Sequence, residues 1–267
     1  MRVLTGELPA YLALGDDLVI QADNADVLPR LPDRAFDLIY VDPPFNTGRE
    51  RRRGALAYAD AHADYLAFLR PRLERARELL ADHGTLYVHL DHREAHRVKL
   101  ALDEVFGERN FLNELIWAYD FGGRPKDRWP AKHDTILVYV KDRGNHWFDT
   151  TEVEREPYMA PGLAGPVKAA RGKVPASVWW STIVHTTGRE KTGYPTQKPE
   201  AVLRRIVAAS SKPGGWCLDF FAGSGTLGAV ARGLGRRFVL VDSNPDAIAI
   251  IGRRLEAATP VAPPSAA

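Results

Sequence analysis

Residues 36–48 read FDLIYVDPPFNTG, a six-residue apolar run followed by an acid, two prolines and an aromatic ring. A short, nearly continuous apolar run of this kind is how a strand covered by helices on both faces reads. DLVIQA at 17–22 has the same character, so an α/β fold with a mostly parallel twisted sheet and helices on both faces is predicted. Downstream of Asp64, residues Leu66, Leu69, Leu73, Ala76 and Leu80 recur at spacings of three and four. They predict a helix ending near Gly84, with Pro71 as a candidate kink. TLYVHL at 85–90 follows as a strand. Val98, Leu102 and Val105 mark another helix, and NELIWAY and DTILVYV two more strands, the second ending near Lys141.

From 142 to 193 the pattern dissolves into Pro, Gly, Thr and Trp over a stretch too long for a simple connection, so an inserted, substrate-facing segment is predicted. Regularity returns with a helix over 199–211, a strand CLDFF at 217–221, a helix from Ser224, a strand FVLVD at 238–242 and a last helix over 244–257. This divides the chain into a first catalytic part (1–141), the insertion (142–193), a second part (194–258) and a Pro/Ala-rich tail (259–267) predicted to be disordered.

At 267 residues and 45% hydrophobic content the chain can bury a full core. Lys and Arg number 36 against 34 Asp and Glu, so a net charge of +2 does not announce nucleic acid, and local clusters must carry that argument. The single cysteine, Cys217, excludes an internal disulfide framework and reads as a core thiol. With no signal-peptide pattern and no apolar run long enough to span a bilayer, a cytoplasmic protein is expected.

In DFFAGSGTLG a strand runs through Phe221 into Gly223, Ser224 and Gly225, then into a helix. Glycines there let a ligand approach backbone N–H groups at the positive end of the helix. Asp242, closing the next strand, is placed to accept hydrogen bonds from two ribose hydroxyls. A bare strand-to-helix turn with an incidental acid is the competing reading, and the combination of strand, loop, helix and acid favours a nucleoside-cofactor half-site. The spacing is neither the dinucleotide GxGxxG nor a P-loop, which points to a ligand without pyrophosphate, such as S-adenosylmethionine.

The prolines of DPPF fix φ and remove two N–H groups, so Asp42, Pro43 and Pro44 form a stiff, acceptor-rich corner beside the ring of Phe45. Such a corner complements a planar heterocycle bearing an exocyclic amine. If the Asp42 carboxylate and the Pro43 carbonyl each accept one amino hydrogen, the nitrogen lone pair is drawn out of conjugation and becomes nucleophilic, while Phe45 stacks on the base. A Pro-rich turn ending a strand accounts for DPPF equally well when it is taken alone.

Taken together, DPPF at 42–45, DFFAGSG at 219–225 and YPTQKPEAVLRRIV at 194–207 resemble, in this order, the motifs of the β subgroup of S-adenosylmethionine-dependent DNA amino-methyltransferases. The resemblance spans residues 17–257 and implies a Rossmann-like methyltransferase fold with 142–193 as target-recognition insertion. It also implies that Asp26 approaches the cofactor adenine, Asp242 the ribose, and Lys198 with Thr196 the methionine carboxylate. Adenine N6 is the expected target, because Asp at the first motif position is commoner for adenine and Ser for cytosine N4. A cognate restriction endonuclease, a homodimer and a prokaryotic, nucleoid-associated setting are further implications.

A base in a duplex cannot reach a pocket at a sheet edge unless it is flipped out, so phosphate-binding surfaces are expected near DPPF. GRERRRG at 48–54 supplies Arg49, Arg51, Arg52 and Arg53 on what reads as a mobile loop. FGGRPKDRWPAKHD at 121–134 interleaves Arg124, Lys126, Arg128 and Lys132 with Phe121 and Trp129. Either run also fits a solvated loop. Trp179 and Trp180 are candidate recognition residues. His89, His92 and His96 read as surface or satisfied histidines, and no metal is required. Methylation of RNA or of a protein amide, a DNA-binding module that has lost catalysis, and an NAD-dependent dehydrogenase are the alternatives, the last disfavoured by the missing third glycine.

Overall fold

The computed structural model describes residues 1–46, 49–53, 56–60, 62–185 and 187–257, the segments 49–53 and 56–60 as backbone only. The strands are β1 (Arg2–Thr5), β2 (Leu18–Gln21), β3 (Phe36–Val41), β4 (Arg49–Arg53), β5 (Leu56–Asp60), β6 (Leu80–Leu90), β7 (Phe111–Ala118), β8 (His133–Val140), β9 (Val178–Trp180), β10 (Trp216–Asp219) and β11 (Arg237–Asp242). The helices are α1 (Asn24–Val27), α2 (Tyr65–Leu79), α3 (Ala95–Phe106), α4 (Pro161–Ala164), α5 (Pro166–Arg171), α6 (Glu200–Ser210), α7 (Thr226–Gly233) and α8 (Pro245–Ala257).

Nine strands form one sheet in the order β1-β2-β11-β10-β3-β6-β8-β7-β9. It is parallel from β1 to β6 and again between β7 and β9, and β8 is antiparallel to both of its neighbours. The apolar runs of the strands are continuous because their alternate side chains serve two cores. Leu18, Ile20, Ile39, Val41, Leu86, Val88, Val239 and Val241 face α2 and α3, meeting Leu69, Leu73, Val98 and Leu102. Val19, Leu38, Tyr40, Tyr87, Phe238 and Leu240 face α6, α7 and α8, meeting Leu203, Ile206, Leu227 and Ile251. Each fully buried side chain of this size contributes roughly 1.5–3 kcal/mol, so the sandwich of helices on sheet is the main source of stability.

Three expectations change. The helix predicted to reach Gly84 stops at Leu79, and β6 begins at once, because Leu80 turns to φ −61 and ψ 135 and pairs with Phe36. Gly84 is a strand residue, not a cap; a Cβ there would lie 2.7 Å from the Phe36 carbonyl oxygen, so β3 and β6 approach this closely only over a glycine. Second, the Arg-rich stretch is no loop: its backbone forms the hairpin β4–β5, Arg49 paired with Asp60 and Arg53 with Leu56, while the side chains of Arg49, Arg51, Arg52 and Arg53 lie outside the described residues. Third, of the two candidate recognition tryptophans, Trp179 is buried where the 142–193 segment joins the sheet. β9 extends it beside β7, Asp149 donates its backbone N–H to Ala209 at 2.9 Å, and Arg236 pairs with Glu152 at 2.7 Å. Trp179 is therefore a core residue, 7% exposed, whereas Trp180 points outward at 74%. Residues 259–267 lie outside the described residues.

Candidate active site

β2, β11, β10 and β3 run parallel as neighbours, so their carboxyl ends share one edge, where open α/β sheets bind ligands. The residues that end them converge: Asp23 and Asn24 after β2, Asp242 closing β11, Asp219 closing β10 and Asp42 after β3 all line a single cavity of about 290 Å³. Asp42, Pro43, Pro44 and Phe45 form one wall, and Phe221, Gly223 and Ser224 another. Two motifs far apart in the chain thus open onto the same space.

The glycine turn has the shape the sequence predicts. Gly223 and Gly225 have φ of +50 and +71, a left-handed backbone that side chains resist. A Cβ on Gly225 would also sit 2.8 Å from Ile251 Cγ1. The helix itself begins at Thr226, two residues later than expected, because Ser224 belongs to the turn. Asp242 organises this turn: one carboxylate oxygen accepts the Gly223 N–H at 2.7 Å and the other the Asn244 N–H at 2.9 Å. Burial raises its carboxyl above the ordinary range, and the two N–H groups oppose that rise.

Asp42 is held by Lys198, whose ammonium nitrogen lies 2.7 Å from both carboxylate oxygens and 4.6 Å from the Phe45 ring centroid. Thr226 donates its hydroxyl to the Lys198 carbonyl at 3.2 Å, tying the segment before α6 to the start of α7. Thr196 also lines the cavity. The DPPF corner is fastened on its far side by Asn46, which adopts φ +54, donates to Glu94 at 2.8 Å and accepts the His62 N–H at 2.9 Å.

Asp26 lies in the first turn of α1, exposed and outside the cavity lining; Asp23 and Asn24 occupy that wall, with Asn24 donating to the Phe220 carbonyl at 2.7 Å. Asp219, not singled out in the sequence, is 3% exposed, and burial drives its carboxyl well above the usual range although the Phe221 N–H donates to it at 3.0 Å. Its sequence signal was its place as the first residue of DFFAGSG, an acid inside the apolar run CLDFF. The acidic lining comprises Asp23, Asp42 and Asp242, with Asp219 beside them as a carboxyl that burial holds toward its protonated form, against Lys198 and Arg72, and Arg72 already pairs with Asp23 at 3.2 Å. A wall with this excess of carboxylates suits a ligand carrying cationic centres and a pair of hydroxyls better than a polyphosphate.

The basic loop 119–132 leaves the sheet at the same edge, since Ala118 and His133 pair at the ends of β7 and β8 beside the end of β6. Arg124 and Arg128 are exposed and pair with Asp120 and Asp127, Lys132 bonds to the Gly122 carbonyl at 2.9 Å, and Lys126 is exposed. Trp129 stands out from this loop at 95% exposure. Of the histidines, His89 is fully buried and hydrogen-bonded, and His92 and His96 are exposed. Cys217 is a core thiol, pushed up to about 12 by burial. Among the described residues no helix is long and apolar enough to cross a membrane.

A family model described as DNA methylase matches residues 36–253. The DNA adenine methyltransferase YhdJ of Escherichia coli (strain K12) is 32% identical over 263 residues, spanning 96% of this chain and 88% of its own. Two solved structures share the fold. The PvuII DNA methyltransferase, cytosine-N4-specific, matches with a TM-score of 0.70 at 18% identity, over 93% of this chain and 89% of its own. The M1.HpyAVI–SAM complex matches with a TM-score of 0.61 at 21% identity, over 89% and 98% respectively.

Proposed function

This chain belongs to the N6/N4 DNA methylase family, and from that premise we propose that it moves a methyl group from S-adenosylmethionine to the N6 amine of a flipped adenine in double-stranded DNA. The observation that carries the reading is the shared cavity: Asp42–Phe45 on one wall and Phe221–Ser224 on the other. S-adenosylmethionine supplies a methyl group on a sulfonium sulfur. Its fit rests on the acid-rich lining, on Asp242 facing the cavity with each oxygen holding one N–H and keeping lone-pair capacity for ribose hydroxyls, and on the left-handed glycine turn.

In this reading Asp42 and the Pro43 carbonyl accept the two amino hydrogens and turn the nitrogen lone pair toward the methyl carbon. Phe45, half-buried at the cavity, is the ring against which the base stacks in this reading, taking the place of the Lys198 ammonium that now lies 4.6 Å from its centroid. Asp42 orients and polarises without taking the proton beforehand, because an arylamine becomes acidic only as its nitrogen gains positive charge. Adenine is favoured over cytosine by the aspartate at position 42 and by the adenine-named relative at 32% identity. Arg124, Lys126, Arg128 and Lys132 at the catalytic edge are the phosphate-contacting candidates of this reading, with Arg49, Arg51, Arg52 and Arg53 on the hairpin.

Incubation with labelled S-adenosylmethionine and unmethylated mixed-sequence DNA, followed by mass spectrometry of the nucleosides, tests it. Labelled N6-methyladenine that disappears in Asp42→Ala is the expected result. Labelled N4-methylcytosine overturns the adenine assignment, and label on RNA or protein alone overturns DNA as substrate.

A further inference from the structure

Methylation creates a proton that the DPPF corner is poorly equipped to receive. The prolines carry no basic group, and Asp42 would have to give up its ion pair with Lys198, at 2.7 Å from both oxygens, to keep the proton. Directly below Asp42 on β3, Tyr40 lines the same cavity with 2% exposure. Its hydroxyl lies 2.7 Å from His89 Nδ1, His89 Nε2 lies 3.0 Å from Asp134, and Tyr119 donates to the other Asp134 oxygen at 2.8 Å. The three central groups come from β3, β6 and β8, which are adjacent in the sheet.

The direction of these bonds follows from what each group can donate. Asp134 is held below the usual carboxylate range: burial pushes it up, but hydrogen bonds from His89 and Tyr119 and the charge of Lys198, with that of His89 when its ring is protonated, outweigh that. An ionised Asp134 only accepts, so His89 Nε2 carries hydrogen. In the neutral ring Nδ1 is then an acceptor and Tyr40 donates to it. Burial and the neighbouring Asp42, Asp219 and Asp134 charges raise the Tyr40 phenol well above its ordinary range, so Tyr40 does not persist as a phenolate. It passes a proton only by receiving one as it gives one.

Resting on the methyl-transfer reading above, we infer that Tyr40, His89 and Asp134 form a buried relay that takes up the proton released when the exocyclic amine is methylated. The nitrogen lone pair bonds to the methyl carbon while the carbon–sulfur bond breaks, its electron pair staying on sulfur as a neutral thioether. The nitrogen is left cationic and tetrahedral, and one of the hydrogens that faced Asp42 and the Pro43 carbonyl turns to the Tyr40 oxygen and passes to it as the Tyr40 proton moves to His89 Nδ1. The resulting imidazolium faces the Asp134 carboxylate, and once the product has left, the proton returns through Tyr40 to water in the cavity. Tyr40 is the catalytic residue of this step, and His89 and Asp134 are positioning residues acting through it. The groups facing His89 are Tyr40 from β3, Asp134 from β8 and the Trp117 ring from β7; Phe45 stacks beside it, Lys198 and Asp42 lie across that ring, and Tyr119 and Asp91 flank Asp134 and Tyr119 respectively.

Two measurements test the relay. In the first, histidine-selective nitrogen NMR of the free protein reads the tautomer: a neutral His89 protonated at Nε2 and bare at Nδ1 is expected, and hydrogen on Nδ1 of the neutral ring overturns the relay. In the second, the single-turnover methyl-transfer rate to mixed-sequence DNA is followed against pH, with cofactor binding by calorimetry and circular dichroism as controls. Tyr40→Phe should bind cofactor within about twofold of the parent, lose on the order of 10–100-fold in rate and lose the parent's rising limb with pH. Asp134→Asn, which removes the charge and puts an NH2 donor in place of one of the two oxygens that accept from His89 and Tyr119, should also slow transfer. A Tyr40→Phe rate and pH profile equal to the parent's overturn the relay and leave the function standing. A parent protein that methylates no DNA overturns both.

Discussion

Lys198 sets its ammonium nitrogen 2.7 Å from each carboxylate oxygen of Asp42, across 156 positions of sequence. The lysine expected at the cofactor carboxylate therefore also grips the proposed catalytic acid, and the two halves of the site are joined through one cation. Both side chains are largely buried, at 9% and 17% exposure. Breaking a buried pair leaves a charge without its counterion, which is more costly than replacing both partners.

Lys198→Met should accordingly destabilise the protein by about 3–5 kcal/mol and abolish measurable methyl transfer. Lys198→Met combined with Asp42→Asn should recover part of the stability and none of the activity. Denaturant melts of the four proteins in the double-mutant cycle check this; additive losses would refute the coupling.

Asp219 makes a pH prediction. Its carboxyl is raised in the folded state, so the folded protein holds a proton that the unfolded chain releases at lower pH. Stability must fall as pH climbs from the ordinary carboxylate value toward the raised one, and the loss is complete above it. Asp219→Asn removes that penalty: its melting temperature should exceed the parent's near pH 7, by about 2–4 °C per kcal/mol recovered, and the difference should vanish in mild acid. Cofactor affinity, measured by calorimetry, should fall because a hydrogen-bonding carboxyl group of the cavity lining is replaced by an amide.

Gly225→Ala forces a side chain into φ +71 and against Ile251. A loss of about 1–3 kcal/mol is expected, with weaker cofactor binding. Adding Ile251→Ala relieves the contact but not the backbone strain, so cofactor affinity should stay reduced in the pair.

Lys126, exposed on the basic loop at the catalytic edge, should behave as a phosphate contact. Lys126→Ala should weaken binding to any duplex and reduce the slope of log K against log salt by about one. An unchanged slope removes it from the interface.

The central strands and long helices were legible in the sequence because β2, β3, β6, β8, β10 and β11 are buried on both faces and each long helix on one, so hydrophobic period reports directly on burial; the mostly exposed β1 and β9 carry no such signal. The glycine turn and the DPPF corner were legible for a different reason: left-handed φ at Gly223 and Gly225, and prolines without N–H groups, are local properties of single residues. Boundaries failed where a long-range contact decided them. Leu80 continues the helical period, yet it leaves α2 because pairing with Phe36 extends the sheet, and the tryptophan pair of the insertion splits into a core Trp179 and an outward Trp180 only once β9 docks on β7.

Composition and local pattern, then, determined the α/β architecture and the local shape of the two cavity motifs, since propensity, periodicity and backbone restriction act over a few neighbouring residues. Tertiary structure alone decided that Lys198 meets Asp42, that Asp23 and Asn24 rather than Asp26 face the cavity, and that Tyr40, His89 and Asp134 line up below the acid. Those juxtapositions depend on the order of strands in the sheet, and strand order is set by the packing of cores that no local stretch of sequence contains.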